Sequence, residues 1–198
     1  MKLSHILSAP NQLTLLRMVF IPFIVMGLID HEYKQALVLL VIAGLTDLFD
    51  GFLARRLHQQ TRMGQYLDPI ADKLLLSTLF MVMAILNLIP WKFTVVVFSR
   101  DIGILGVSAV LFAIAGLRDF RPSIFGKVNT LSQIAAVFFV MLYLVMPAPW
   151  VGSAKTVFLR MTFAFTILSA LHYVILVGQR MRALGAEHAP PDQMKPAA

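Results

Sequence analysis

Asp47-Leu48-Phe49-Asp50-Gly51-Phe52-Leu53-Ala54-Arg55, followed after eight residues by Gly64 and then by Asp68-Pro69-Ile70-Ala71-Asp72, decides how this chain is read. Four of its ten acidic residues fall in these 26 positions, and the flanking stretches are apolar. A carboxylate inside a membrane-spanning segment is expensive and marks a functional site by default. Residues three and four apart share a helix face. Asp47, Asp50, Gly51 and Ala54 therefore form one stripe, and Asp68 and Asp72 another. The loop between them is short, so the two helices are expected to be antiparallel neighbours with their stripes facing. Hard oxygen ligands in this array suit Mg²⁺ or Mn²⁺, which typically share their coordination with substrate phosphates. Two such ions, about 4 Å apart, would clamp a phosphoryl group.

The rest of the chain is a membrane sequence. Of 198 residues, 59% are hydrophobic, and the mean hydropathy is +0.79. That length leaves room for one domain of about six spans and no separate soluble domain. Apolar periodicity and proline punctuation put the spans near residues 13–29, 35–57, 67–88, 91–117, 127–146 and 153–177. Each reaches the roughly 17–25 residues needed to cross. The fold predicted is an all-α integral membrane bundle of six transmembrane helices over residues 1–178. Residues 179–198, with Pro190, Pro191 and Pro196, read as a disordered tail. The first ten residues are too polar and too short for a signal peptide's apolar core.

The formal charge of +7 does not indicate nucleic acid, because the aromatic residues lie in apolar runs rather than among the basic ones. It indicates topology. Lys2, Arg55, Arg56, Arg62, Arg118, Arg121, Lys127, Arg180, Arg182 and Lys195 fall on one side; Lys34, Lys92 and Lys155 fall on the other. Positive loops face the cytoplasm, which puts both termini and the aspartates on the cytoplasmic side. The chain has no cysteine, so disulfide and thiol chemistry are excluded.

The neighbours of the aspartates add to the reading. Gly51 and Ala54 leave room for a diphosphate or a close backbone. Arg55 stands one turn nearer the cytosol, where its guanidinium could bind a diphosphate oxygen. Gly64 relieves crowding where the loop re-enters the bundle. Arg17, one turn inside the first span, either meets the nucleotide and carboxylates or snorkels to the interface. Asn11 and Thr14 are candidate nucleotide contacts or helix caps. A purely structural acid cluster would need Arg17, Lys73 or Arg100 as partners, and four buried acids would need as many cations. Asp101 is expected to pair with Arg160, because adjacent residues on a helix do not face each other. Lys127, at a helix start where anions are favoured, and Arg121 are candidates for an acceptor phosphate. His172 reads as a hydrogen-bonded packing residue.

The full spacing, Asp47-x2-Asp50-Gly51-x2-Ala54-Arg55-x8-Gly64-x3-Asp68-x3-Asp72, resembles the signature of the CDP-alcohol phosphatidyltransferases at every defined position. Pro10-Asn11-x2-Thr14-x2-Arg17, Ser99-Arg100-Asp101 and Gly126-Lys127-Val128-Asn129-Thr130 resemble further family segments, so the likeness covers all but the tail. It implies a six-helix bundle, commonly a homodimer, with a polar cavity open to the cytoplasm. CDP-diacylglycerol would donate a phosphatidyl group to an alcohol and release CMP. By resemblance, Asp47, Asp50 and Asp68 bind metal, and Asp72 is the general base beside the metal site. Gly51, Ala54 and Arg55 fall where the family binds the cytidine diphosphate, and Gly64 falls at a helix contact.

Two acceptors compete, ahead of serine or inositol. Glycerol 3-phosphate would give phosphatidylglycerophosphate and suits the basic cluster. Phosphatidylglycerol would give cardiolipin and suits the Asp of Ser99-Arg100-Asp101 and the Lys127-Val128-Asn129-Thr130 run. An intramembrane prenyltransferase would need a longer chain with its two acidic motifs in separate halves. A divalent-cation transporter would place its acids nearer the middle of the membrane. CMP release on adding CDP-diacylglycerol separates both from the main reading.

Overall fold

The computed structural model of the protein describes the backbone of residues 9–57, 64–115 and 124–187, and the side chains of 16–46, 71–104, 106 and 124–179. Six helices make up the described chain: α1 Ala9–Ile29, α2 Tyr33–Leu57, α3 Gly64–Ile85, α4 Trp91–Ala115, α5 Ile124–Val145 and α6 Pro149–Glu187. No strand occurs among the described residues. By length and composition, α5 and the Pro149–Gln179 part of α6 can cross a membrane, and Leu16–Ile29 and Tyr33–Thr46 are shorter apolar runs. The motif charges shorten the apolar part of α2, which ends in Asp47, Asp50, Arg55 and Arg56.

Three short turns close one end of the bundle, and two of them use a left-handed residue. His31 has φ 61° and Asn87 has φ 56°. At the end of α3 the Leu88 amide donates to the Met83 carbonyl (2.8 Å) and the Asn87 amide to that of Ala84 (3.0 Å). This pairing satisfies the last carbonyls of a helix, and Asn tolerates the left-handed conformation it requires. His31 Nδ1 lies 2.6 Å from the Tyr33 hydroxyl, which ties the first turn to the start of α2.

α1 packs on α2 and α3, α5 on α2, α3 and α6, and α4 on α3 and α6. The helices thus form two rows, α1–α3–α4 and α2–α5–α6. Helices α1 and α5 each pack on both of the aspartate-bearing helices, α2 and α3. The expected facing of the two aspartate stripes, residues 47–54 and 68–72, lies outside the described side chains except at Asp72.

The apolar core lies toward the end closed by the short turns, where Ile24, Leu28, Leu79, Phe80, Met83 and Met141 are buried. The outward faces are apolar too. Val19 and Phe23 on α1, Val38 on α2, and Leu171, Val174 and Ile175 on α6 are all exposed. Such a surface fits hydrocarbon better than water.

Several helix ends differ from the sequence reading, with α1 and α6 both starting four residues earlier. α3 begins at Gly64, which puts Pro69 in the second turn rather than the first. α5 begins at Ile124, so Lys127 is its fourth residue. α6 continues through Gln179 to Glu187, where a tail was expected from Gln179. Gln, Arg, Met, Ala and Leu in that stretch are good helix formers. Residues 188–198 lie outside the described set.

Candidate active site

The backbone places Asp47, Asp50, Gly51, Ala54 and Arg55 in the second half of α2, and Gly64, Asp68 and Asp72 in the first half of α3. Only Asp72 among these has a described side chain. Helix α1 sets the depth of both stripes. Gly27 abuts Ala36 so closely that an added Cβ would stand 3.1 Å from the Ala36 Cβ. Counting along these antiparallel helices from that contact, Arg17 lies level with Thr46, next to Asp47. Arg17 is 1% exposed and pairs with Asp72 on α3. It is therefore a buried partner of the motif and does not snorkel.

A polar belt continues from this pair across the bundle. Beside Asp72, the Lys73 Nζ donates to Asp101 Oδ1 on α4 at 2.6 Å. Arg100 Nη1 donates to the same oxygen at 2.7 Å, and its Nη2 donates to the Ser169 hydroxyl of α6 at 2.9 Å. The expected Asp101–Arg160 pair does not form. Arg160 is exposed on α6, more than two turns from Ser169, and the Arg100 side chain folds back to its neighbour instead. Of the three cations weighed as partners for the aspartate motif, Arg17 reaches Asp72, while Lys73 and Arg100 serve Asp101.

α5 joins the belt through α6. The Thr166 hydroxyl lies 2.8 Å from Asn129 Oδ1 and 2.6 Å from the Thr162 carbonyl. This antiparallel register brings Gly126 level with Ser169, so Lys127 stands near the level of the Arg100–Asp101 pair. Lys127 is exposed. Arg121 and Arg118 lie outside the described residues. One turn inward, Gln133 and Thr162 occupy the next rung of the same seam, both fully buried. Among the described residues, the Gln133 amide and the Thr162 hydroxyl make no hydrogen bond. Interhelical polar contacts of this type hold helices together in lipid. The sequence reading missed this seam, although the i, i+4 spacing of Asn129 with Gln133 and of Thr162 with Thr166 signals it. His172, expected to be hydrogen-bonded, packs on Phe125 with ring centroids 5.1 Å apart. Its buried Nδ1 makes no bond among the described residues.

The pattern of the CDP-alcohol phosphatidyltransferase family matches residues 7–183. The chain belongs to the CDP-alcohol phosphatidyltransferase family. Among similar members, a probable cardiolipin synthase (CMP-forming) of Drosophila melanogaster is 33% identical over 67% of this chain and 46% of its own length. The cardiolipin synthase (CMP-forming) of Homo sapiens is 30% identical over 80% of this chain and 56% of its own. The CDP-diacylglycerol–glycerol-3-phosphate 3-phosphatidyltransferase of Aquifex aeolicus is 38% identical over 63% of this chain and 70% of its own. The chain thus spans about half the length of the first two of these phosphatidyltransferases. Membership sets aside the prenyltransferase and transporter readings.

The donor set fits a divalent cation. The four aspartates fall in the second half of α2 and the first half of α3, two helices on which α1 and α5 both pack, and Asp72 is half exposed despite its pairing with Arg17. Among the described side chains, which leave out Asp47, Asp50 and Asp68, no group of three metal-ligating residues occurs.

Proposed function

We propose that the protein transfers the phosphatidyl group of CDP-diacylglycerol to glycerol 3-phosphate, forming phosphatidylglycerophosphate and releasing CMP. The observation that carries this reading is the belt itself. In a bundle with an apolar core and apolar outer faces, polar groups from α1, α3, α4, α5 and α6 lie at the depth of the aspartate motif on α2 and α3.

The residues divide the work. Asp47, Asp50, Asp68 and Asp72 hold divalent cations, Mg²⁺ or Mn²⁺ and two in number. When bound, these neutralise charge on the attacking and leaving oxygens. Gly51, Ala54 and Arg55 take the cytidine diphosphate, and Arg17 backs the site from α1. Asp72 accepts the proton of the attacking hydroxyl. That oxygen bonds to the phosphorus carrying diacylglycerol as the bond to CMP breaks. A positioned carboxylate is needed because a hydroxyl is a poor nucleophile near neutral pH. Lys127, with Arg121, receives the acceptor phosphate. Six spans, a cytoplasmic site and termini, and a homodimer complete the proposal.

Glycerol 3-phosphate is preferred because the Aquifex relative named for it is the most identical of the three and is covered over 70% of its length. The second reading is cardiolipin synthesis from phosphatidylglycerol, favoured by the human and Drosophila relatives' names and by Asp101 in Ser99-Arg100-Asp101. Labelled CDP-diacylglycerol decides between them. Phosphatidylglycerophosphate made with glycerol 3-phosphate supports the first reading. Cardiolipin made only with phosphatidylglycerol rejects it for the second.

A further inference from the structure

At the end opposite the aspartates, the α5–α6 hairpin stands beyond the other helices. Phe93, in the first turn of α4, packs on Phe163 of α6 with ring centroids 5.9 Å apart. α6 therefore starts about twelve residues, roughly 18 Å at helical rise, before α4. An open groove lies on this projecting part, lined by Tyr143, Pro147, Pro149, Gly152, Thr156 and Val157 among others. Two cations flank it. Lys155 Nζ sits 4.0 Å from the centroid of the Tyr143 ring. Arg160, one turn on from Thr156 and Val157, is exposed.

Neither cation makes an ion pair among the described residues, and α5 and α6 contain no acidic residue before Glu187. Around them Trp150, Val157 and Met161 are exposed. By the same register Arg160 lies level with the start of α4, at the depth of the short turns where lipid headgroups meet apolar helix faces. A partner that brings negative charge and apolar bulk together fits this face.

We propose that this groove binds the headgroup of an anionic phospholipid in the leaflet opposite the active site, with the acyl chains lying along Val157 and Met161. The site is independent of the catalytic reading.

Trp150 offers a reporter beside Pro149. Full-length protein carrying Trp91→Phe is reconstituted in phosphatidylcholine vesicles containing brominated phosphatidylglycerol or brominated phosphatidylcholine, and Trp150 quenching is measured. Phosphatidylglycerol should quench preferentially. Lys155→Gln with Arg160→Gln should cut the preference roughly thirtyfold, at about 1 kcal/mol for each of the two charges near the surface. Lys155→Arg with Arg160→Lys should retain it, and Arg160→Gln alone should halve the effect if the double variant does not fold. Equal quenching by the two lipids, or a preference unchanged by loss of both charges, overturns the proposal. So does loss of the preference on adding free inorganic phosphate, which would make the ligand soluble. Weak quenching by both lipids also overturns it, because the face would then be covered by a second copy of the chain.

Discussion

Asp72 belongs to two arrangements at once, the aspartate row of α3 and the ion pair with Arg17. Its proposed role as base acts mainly in the transition state, so Asp72→Asn should remove turnover and largely spare CDP-diacylglycerol binding. The rate should fall at least about 100-fold, the lower range for a general base. Retention of more than a tenth of the parent rate in a CMP-release assay would show that another group takes the proton. Arg17 can be tested separately. Arg17→Met leaves α1 without its buried cation and the motif without a partner. Thermal unfolding in detergent should show a loss of a few kcal/mol, as expected for breaking a buried pair, though Asp72's exposure reduces it. Arg17→Lys should recover part of the loss, since it keeps the charge without the planar fork. At this scale the sequence spacing marked the aspartates as two helix stripes, and of these the structure describes the Asp72 side chain. The Asp101 partner was not legible in the spacing. The facing rule describes where side chains leave the helix, and Arg100 is long enough to turn back to its neighbour.

Between elements, a close approach of Gly27 against Ala36 sets the depth of α1 beside α2. Gly27→Leu would force the two helices apart just where the first turn begins. Overpacking of this kind costs about 1–3 kcal/mol, and the lowered unfolding temperature should be partly restored by Ala36→Gly. If Gly27→Leu unfolds at the parent temperature, the register between Arg17 and Asp47 rests on something else. Helix number, type and most boundaries could be read from the sequence, since apolar runs end at prolines and polar turns. Helix neighbours could not. Loop length predicts that α2 and α3 are antiparallel, but not that α1 and α5 each pack on both. That arrangement is decided by buried side chains such as Leu79, Met83 and Met141, whose long-range contacts leave no local pattern. The early start of α3 and the extension of α6 show the same limit, because a proline or a basic stretch weakens a helix without ending it.

For the whole molecule, the proposed orientation makes a clean test possible because the chain has no cysteine. A single cysteine at Gln60 should react with a membrane-impermeant thiol reagent only from the cytoplasmic side, and one at Glu32 only from the other. Labelling of both from one side would overturn the topology read from the basic residues. Exhaustive EDTA treatment should abolish CMP release, and Mg²⁺ or Mn²⁺ should restore it, since four carboxylates cannot all stay ionised side by side without cations. Activity that survives chelation would remove the metal from the mechanism. The packing of α5 on both α2 and α3 also bears on how the protein is made. All four aspartates have left the ribosome once α3 is complete, but the wall that α5 supplies has not. On the proposed function, the nascent chain therefore carries its four carboxylates before the bundle that would bind the activated lipid is complete. Residues 1–117 expressed alone should accordingly be inert, and co-expression with residues 118–198 should bring CMP release back.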